Sequence, residues 1–395
     1  MVVDSMYRLG TKRSCIRELF EYGLGRAEIV GKENVYDYSI GNPSVPAPGE
    51  VKTAFLRQIE REDSLAVHGY TPAPGAMSAR KAITDNLNSR YGSDLKPQNI
   101  FLTCGAAPAL ILAIRALAVP ESEFIVLAPF FPEYVPFIAN NGGKPVIVPA
   151  DVPAFGLRAD VIEGYVTEHT QAIIVNSPNN PSGVVYSKES LKALAEVLSR
   201  KSAEYGHPIY LISDEPYREI VYDGVEVPFI PDIYKDTIIC YSYSKSLSLP
   251  GERIGYVLVP DRVTDSADVF ASVAGAARII GHVCAPSIQQ MVAAECCGVG
   301  PDNEAYDRNR KLLYKELTAM GYECVYPAGA FYMLVRVPGF CAKDFSDTAK
   351  KYDLLVVPCD DFGCPEFARL STCVANDMIV RSLPTFKKVI EEMKG

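Results

Sequence analysis

The run YSYSKSLSLPGERIGY, residues 241–256, sets one lysine among small hydroxyl residues, then turns through Pro250-Gly251 to an arginine that reads as buried. It continues directly from the apolar run TIICYS, 237–242. Further out lie EFIVLAP (123–129), QAIIVN (171–176) and PIYLISD (208–214). These are unbroken hydrophobic runs rather than alternating ones, the pattern of strands covered on both faces. Between two of them, SKESLKALAEVLSRKSAEYG (187–206) puts apolar residues at helical spacing behind an N-capping Ser187. Strand and helix alternate from about residue 75 to 260. That order predicts an α/β layer with a mostly parallel sheet flanked by helices.

The last hundred residues read differently. A long amphipathic helix at about 303–320 precedes the short strands FYMLVRV, LLVVP and FARLST, and a final helix starts near Asn376. This predicts a smaller α+β domain, with a break at Gly298-Val299-Gly300-Pro301. The expected division is an N-terminal arm that packs with the small domain (1–48), a large domain (49–298) and the small C-terminal domain (299–395).

Composition removes several function classes. The 395 residues are 48% apolar, and a net charge of −9 advertises no basic face for nucleic acid. No apolar run approaches the roughly 18 residues of a membrane span, and the first residues lack a signal peptide's apolar core. Eleven irregularly spaced cysteines, an odd number, suit reduced thiols in a cytoplasmic protein. Cys359 and Cys364 have no second pair at zinc spacing, so no metal site is expected. Four histidines make a His-based hydrolase a thin prospect, and a nicotinamide enzyme would need a GxGxxG that does not occur.

Open α/β sheets collect chemistry at the carboxyl ends of their strands. Polar residues gather there in Asn179-Asn180-Pro181, in Asp214-Glu215-Pro216-Tyr217, and from Ser242 to Lys245. Thr103-Cys104-Gly105-Ala106-Ala107 is a small-residue turn into a helix start, where free N–H groups and the helix dipole favour a phosphate. Arg253 and the serines near Lys245 could add donors to that anion. A lysine beside a phosphate site, facing an aspartate and a tyrosine, is the part list for pyridoxal phosphate.

The run 242–255 also resembles the lysine signature of the class I/II, aspartate-aminotransferase-like enzymes of fold type I. YSIGNPSVPAP (38–48), GYTPAPG (69–75), NSPNNPSG (176–183), SDEPY (213–217) and FARLS (367–371) extend the resemblance, in family order, over nearly the whole chain. It implies pyridoxal 5'-phosphate and transfer of an amino group between an L-amino acid and a 2-oxo acid. Lys245 would carry the cofactor and move the substrate proton. Asp214 would pair with the pyridine nitrogen, and Asn180 and Tyr217 would bond the ring oxygen. Gly105, Ala106, Ala107, Ser242, Ser244 and Arg253 would surround the phosphate, with Phe131 stacked on the ring. Tyr70 would reach the cofactor of the neighbouring subunit, which implies a homodimer with shared sites. Arg369, with Gly41 and Asn180, would clamp the substrate α-carboxylate.

Substrate choice is less constrained. Some relatives hold a distal carboxylate with a lysine two residues after the glycine matched by Gly105, where this chain has Ala107. Others use an arginine of the partner subunit, for which Arg278 is the candidate; otherwise it is a helix-surface arginine. Aspartate is the leading donor, with alanine, aromatic and branched-chain amino acids close behind. A β-lyase on the same scaffold is the alternative reaction. A pyridoxal-phosphate-sensing module under a DNA-binding head would need a basic helix-turn-helix region, and only about 35 residues precede YSIGNP. Phe130 or Phe131 could be plain core, and Cys104, Cys240 and Cys284 read as small core fillers.

Overall fold

A computed structural model describes residues 2–11, 14–61 and 63–395. The first strand, β1 (Tyr36–Asp37), is followed by seven that form the main sheet: β2 (Ile100–Thr103), β3 (Glu123–Leu127), β4 (Lys144–Val148), β5 (Thr170–Asn176), β6 (Tyr210–Asp214), β7 (Thr237–Ser242) and β8 (Gly255–Leu258). Their order is β2-β8-β7-β6-β5-β3-β4. All neighbours run parallel except around β8, which is antiparallel to both β2 and β7. The sheet is therefore mostly parallel, as its sequence predicts.

The two-sided burial behind those unbroken hydrophobic runs is visible in β6. Ile212 faces a cluster built with Leu112 and Ala113 of the helix Ala106–Leu117 and with Val273 of the helix Ser266–Ile279. Leu211, one residue away and so on the opposite face, packs with Leu191, Leu194 and Leu198 of the helix Lys188–Tyr205. Ser187 caps that helix by accepting from the Ser190 N–H. Every residue of β6 and β7 is buried.

A second, antiparallel sheet is made of β9 (Glu323–Cys324), β10 (Tyr332–Arg336), β12 (Val357–Pro358) and β13 (Ala368–Ser371). The short β11 (Leu354–Leu355) pairs in parallel with β1. Leu19 and Val35 from the N-terminal segment share a cluster with Leu334, Leu355 and Phe367. The helices Asn303–Ala319 and Asn376–Lys394 cover the other side, through Leu313, Leu317, Ile379 and Phe386. The stretch leading into β10 is strapped to the main sheet's loops. Ala328 and Gly329 donate to the Gly183 carbonyl, and Ala330 donates to that of Ile220. No helix among the described residues is long and apolar enough to cross a membrane.

Candidate active site

Parallel strands bring their carboxyl ends to one edge of the sheet. β5 ends at Asn176, whose register partner is Asp214, the last residue of β6. Asn176 Nδ2 donates to the Asp214 carbonyl (2.9 Å), and its Oδ1 accepts from the Asn180 N–H (2.8 Å). One side chain thus ties two of the expected site loops together. The Asp214 carboxylate is buried, and its Oδ2 accepts from the Tyr134 hydroxyl while Oδ1 has no hydrogen-bond partner among the described residues. Burial pushes Asp214 up to about 7; the Tyr134 bond opposes this, and the nearby Glu215 adds to it.

β7 ends at Ser242, which caps the single turn Tyr243–Ser246 by accepting from the Ser244 N–H (3.1 Å). That turn presents Lys245. Its Nζ donates to the Gly41 carbonyl (2.6 Å) and lies 5.6 Å from the centre of the Phe331 ring. Burial lowers the Lys245 pKa to about 8; the Cys373 thiol opposes the shift, and the positive Arg369 and Arg253 reinforce it.

Beyond β2, Gly105 adopts φ +94 and caps the helix that begins at Ala106. The first N–H groups of a helix have no carbonyl within it, so this turn presents donors. A Cβ on Gly105 would lie 2.7 Å from Arg253 Nη2 and would push the guanidinium aside, and the positive φ itself favours glycine. Arg253 is not the buried arginine its sequence suggested. It is exposed, at φ +53, because its guanidinium reaches across the rim of the turn and donates to the carbonyls of Cys104 (2.9 Å) and Pro250 (3.0 Å). Ser244 Oγ lies 3.5 Å from its Nη1 and 2.8 Å from Ser242 Oγ.

Arg369, in β13, is buried beside this group. Nη1 donates to Asn180 Oδ1 (3.1 Å) and Nη2 to the Ser39 carbonyl (2.6 Å), while Nε is buried with no hydrogen-bond partner among the described residues. Its guanidinium lies over the rings of Tyr332 (4.5 Å) and Phe362 (5.3 Å). The Tyr217 hydroxyl, also buried, shares a 3.2 Å hydrogen bond with that of Tyr332. Lys245, Asp214, Tyr217, Asn180, Gly41 and Arg369 are therefore joined through a small set of shared partners.

Other expected residues stand further out. Phe131 is half-buried and edge-on to Tyr134 (5.8 Å), while Phe130 belongs to the core. Tyr70 is 89% exposed, and Arg278 is exposed in the last turn of its helix. Cys240 is core, but Cys104 and Cys284 are only half-buried, with Cys104 Sγ 3.8 Å from His282 Nδ1. The sequence reading missed Tyr134, Asn176, Tyr332 and Cys373. Asn176 opens NSPNNPSG and Tyr332 lies in the strand FYMLVRV, though neither stood out there; Tyr134 and Cys373 carried no signal.

Residues 33–383 match the family described as aminotransferase class I and II. An aromatic-amino-acid aminotransferase 2 from Thermococcus litoralis is 28% identical over 96% of each chain. A probable aspartate/prephenate aminotransferase from Aquifex aeolicus is 31% identical, covering 91% of this chain and 92% of its own. Among solved structures, an amino transferase from Eubacterium rectale is 51% identical, with a TM-score of 0.97 and full coverage of both chains. The aspartate aminotransferase from Thermus thermophilus with maleate is 27% identical, with a TM-score of 0.86 over 98% of this chain and all of its own. Sequence, fold and the joined strand-end residues converge: the chain belongs to the class I and II aminotransferases and is a pyridoxal-phosphate-dependent aminotransferase.

Proposed function

We propose that Lys245 carries pyridoxal phosphate and moves the substrate's Cα proton, and that the donor is an amino acid of the aspartate type. The observation that carries this reading is Asp214: a buried carboxylate with one oxygen held by Tyr134 and the other unmatched. An unmatched buried acceptor costs free energy until a donor arrives, and a protonated ring nitrogen is such a donor. The Gly105 turn fits the phosphate in the same way, with helix N–H groups at Ala106 and Ala107 and hydroxyls at Ser242 and Ser244 beside Arg253. Bound pyridoxal phosphate supplies an electron sink for the pair left when the Cα–H bond breaks.

The chain's own residues do the rest. Asp214 keeps a proton on the ring nitrogen by ionic pairing. Asn180 and Tyr217 address the ring oxygen, and Phe131 covers the ring. Arg369 offers its unpartnered Nε to the α-carboxylate, with Gly41 and Asn180 alongside. A Lys245 pKa of about 8 keeps a usable share of the amine neutral, so Nζ can accept a proton at physiological pH. Tyr70 would complete the phosphate site of a second copy, and its 89% exposure supports a homodimer with shared sites. The segments 1–48 and 299–395 form one body against 49–298, a reading supported by the β1–β11 pairing. Eleven free cysteines support a cytoplasmic, reducing compartment.

Relatives named for aspartate support the donor, and Arg278 of the partner would then face the distal carboxylate. A specific observation favours an aromatic donor as the second reading: Arg369 is walled by Tyr332 and Phe362, with Tyr217 and Phe331 packed alongside. Absorbance of the holoenzyme against a panel of amino acids tests both. Loss of the visible band with aspartate, but not with phenylalanine or tyrosine, is expected. The reverse pattern would replace the first donor by the second, and a band unmoved by every donor would sink both.

A further inference from the structure

Tyr332 opens β10, and no sequence motif points to it. It is buried, yet it touches three parts of the centre at once. Its hydroxyl shares the 3.2 Å hydrogen bond with Tyr217, and its ring carries the Arg369 guanidinium at 4.5 Å. A Cβ added to Gly41 would lie 1.8 Å from the Tyr332 hydroxyl, so that oxygen is wedged against the loop whose Gly41 carbonyl accepts from Lys245. The Tyr217 and Tyr332 rings meet edge to face at 5.7 Å, and Phe331 packs on both. The two hydroxyls are held together by packing.

Charge decides which hydroxyl donates. Burial disfavours ionisation of both, and Arg369 opposes this at each. Tyr217 also feels the negative Asp214, whereas Tyr332 lies directly beneath the guanidinium. Tyr332 is therefore the more acidic of the pair and the better donor. A hydroxyl that accepts a hydrogen bond becomes a stronger donor of its own proton.

We propose that Tyr332 is a positioning residue of this centre: its hydroxyl donates to Tyr217, and so aims and strengthens the Tyr217 O–H toward the cofactor's ring oxygen. The inference rests on the role proposed above for Tyr217. A purely structural Tyr332 would need only its ring, which packs against Phe331 and Arg369; Tyr332→Phe keeps the ring and removes the hydroxyl. Arg369, Asp214, Lys245 and Cys373, the other charged or titratable groups facing the pair, stay in place in that variant.

The test is a pH titration of the bound cofactor's visible absorbance in the holoenzymes of wild type, Tyr217→Phe, Tyr332→Phe and the double variant. A donor on the ring oxygen withdraws charge from the adjacent nitrogen base, so losing that donor raises the midpoint. Tyr217→Phe is expected to raise it, and Tyr332→Phe to raise it by roughly half a pH unit, the scale of one neutral hydrogen bond. The double variant is expected to match Tyr217→Phe alone. A Tyr332→Phe midpoint equal to wild type, or the same increment in both backgrounds, overturns the relay. A Tyr217→Phe midpoint equal to wild type also overturns it. Aminotransferase activity is read separately, from the response of the wild-type band to amino donors, so the two failures are distinguishable.

Discussion

At the residue scale, burial acts on Asp214 and Lys245 in opposite directions. It lifts the carboxylate to about 7 and lowers the amine to about 8. For Asp214 the folded value exceeds the ordinary 3.8, so between about pH 4 and 7 the native state holds more protons than the unfolded one. Stability of the cofactor-free protein therefore falls as pH rises through that window. Asp214→Asn removes the titration. The cofactor-free variant is expected to be more stable than wild type above pH 7, by about 1–3 kcal/mol in thermal unfolding, while its transamination rate falls by orders of magnitude. A destabilised variant at pH 8 would show that the carboxylate is matched within the chain. If Lys245 holds the cofactor as proposed, only its neutral amine would attack the aldehyde. Stopped-flow uptake of pyridoxal phosphate should therefore speed up about tenfold per pH unit and level off near pH 8; a rise continuing past pH 10 would refute the lowered value. These polar residues were legible because charge at a buried strand end has few bland explanations. Tyr134 and Tyr332 were not, because among 23 tyrosines a ring reads first as core. Their roles come from hydroxyl partners 80 and 115 residues away in the chain.

At the scale of elements, the main strands were legible because two-sided burial writes unbroken apolar runs. The reversed direction of β8 was not, since its residues are as buried as those of the parallel strands β6 and β7. Nor were β1 and β9, each two residues long and too short for any periodicity; the one strand expected at LLVVP divides into β11 and β12. Glycine shows how tightly β8 is held beside the site. A Cβ on Gly255 would lie 2.2 Å from the Tyr241 carbonyl oxygen and 2.9 Å from Gly105 Cα, both rigid backbone. Gly255→Ala is expected to cost about 1–3 kcal/mol or more, and to weaken cofactor retention because relief displaces the Gly105 turn. Gly275, in the helix Ser266–Ile279, has nothing within 4 Å of a new Cβ. Gly275→Ala should stabilise by about 0.5–1 kcal/mol and leave cofactor binding unchanged. Denaturant melts of both variants, with cofactor retention on dialysis, check the contrast.

At the scale of the whole molecule, the decisive question is whether one chain can complete its own site. Lys245 sits among buried partners, yet Tyr70 is 89% exposed on the loop after the helix Ser64–His68. A hydroxyl that far into solvent does nothing for a phosphate unless a second copy brings one within reach. Exposed Leu65, Ile279 and Val283 add apolar surface that a partner would cover. Shared sites make a prediction that separate sites do not. Tyr70→Ala and Lys245→Ala homodimers should each be impaired, the second completely. If they are unfolded together and refolded in equal amounts, about half of the dimers are hybrids. In each hybrid one site combines the intact Lys245 of one chain with the intact Tyr70 of the other, and the second site lacks both. Activity should therefore recover to about a quarter of wild type per chain, since roughly half of the dimers carry one working site of two. If each site drew both residues from its own chain, no site in the mixture would hold both, and activity would stay at the average of the two parents.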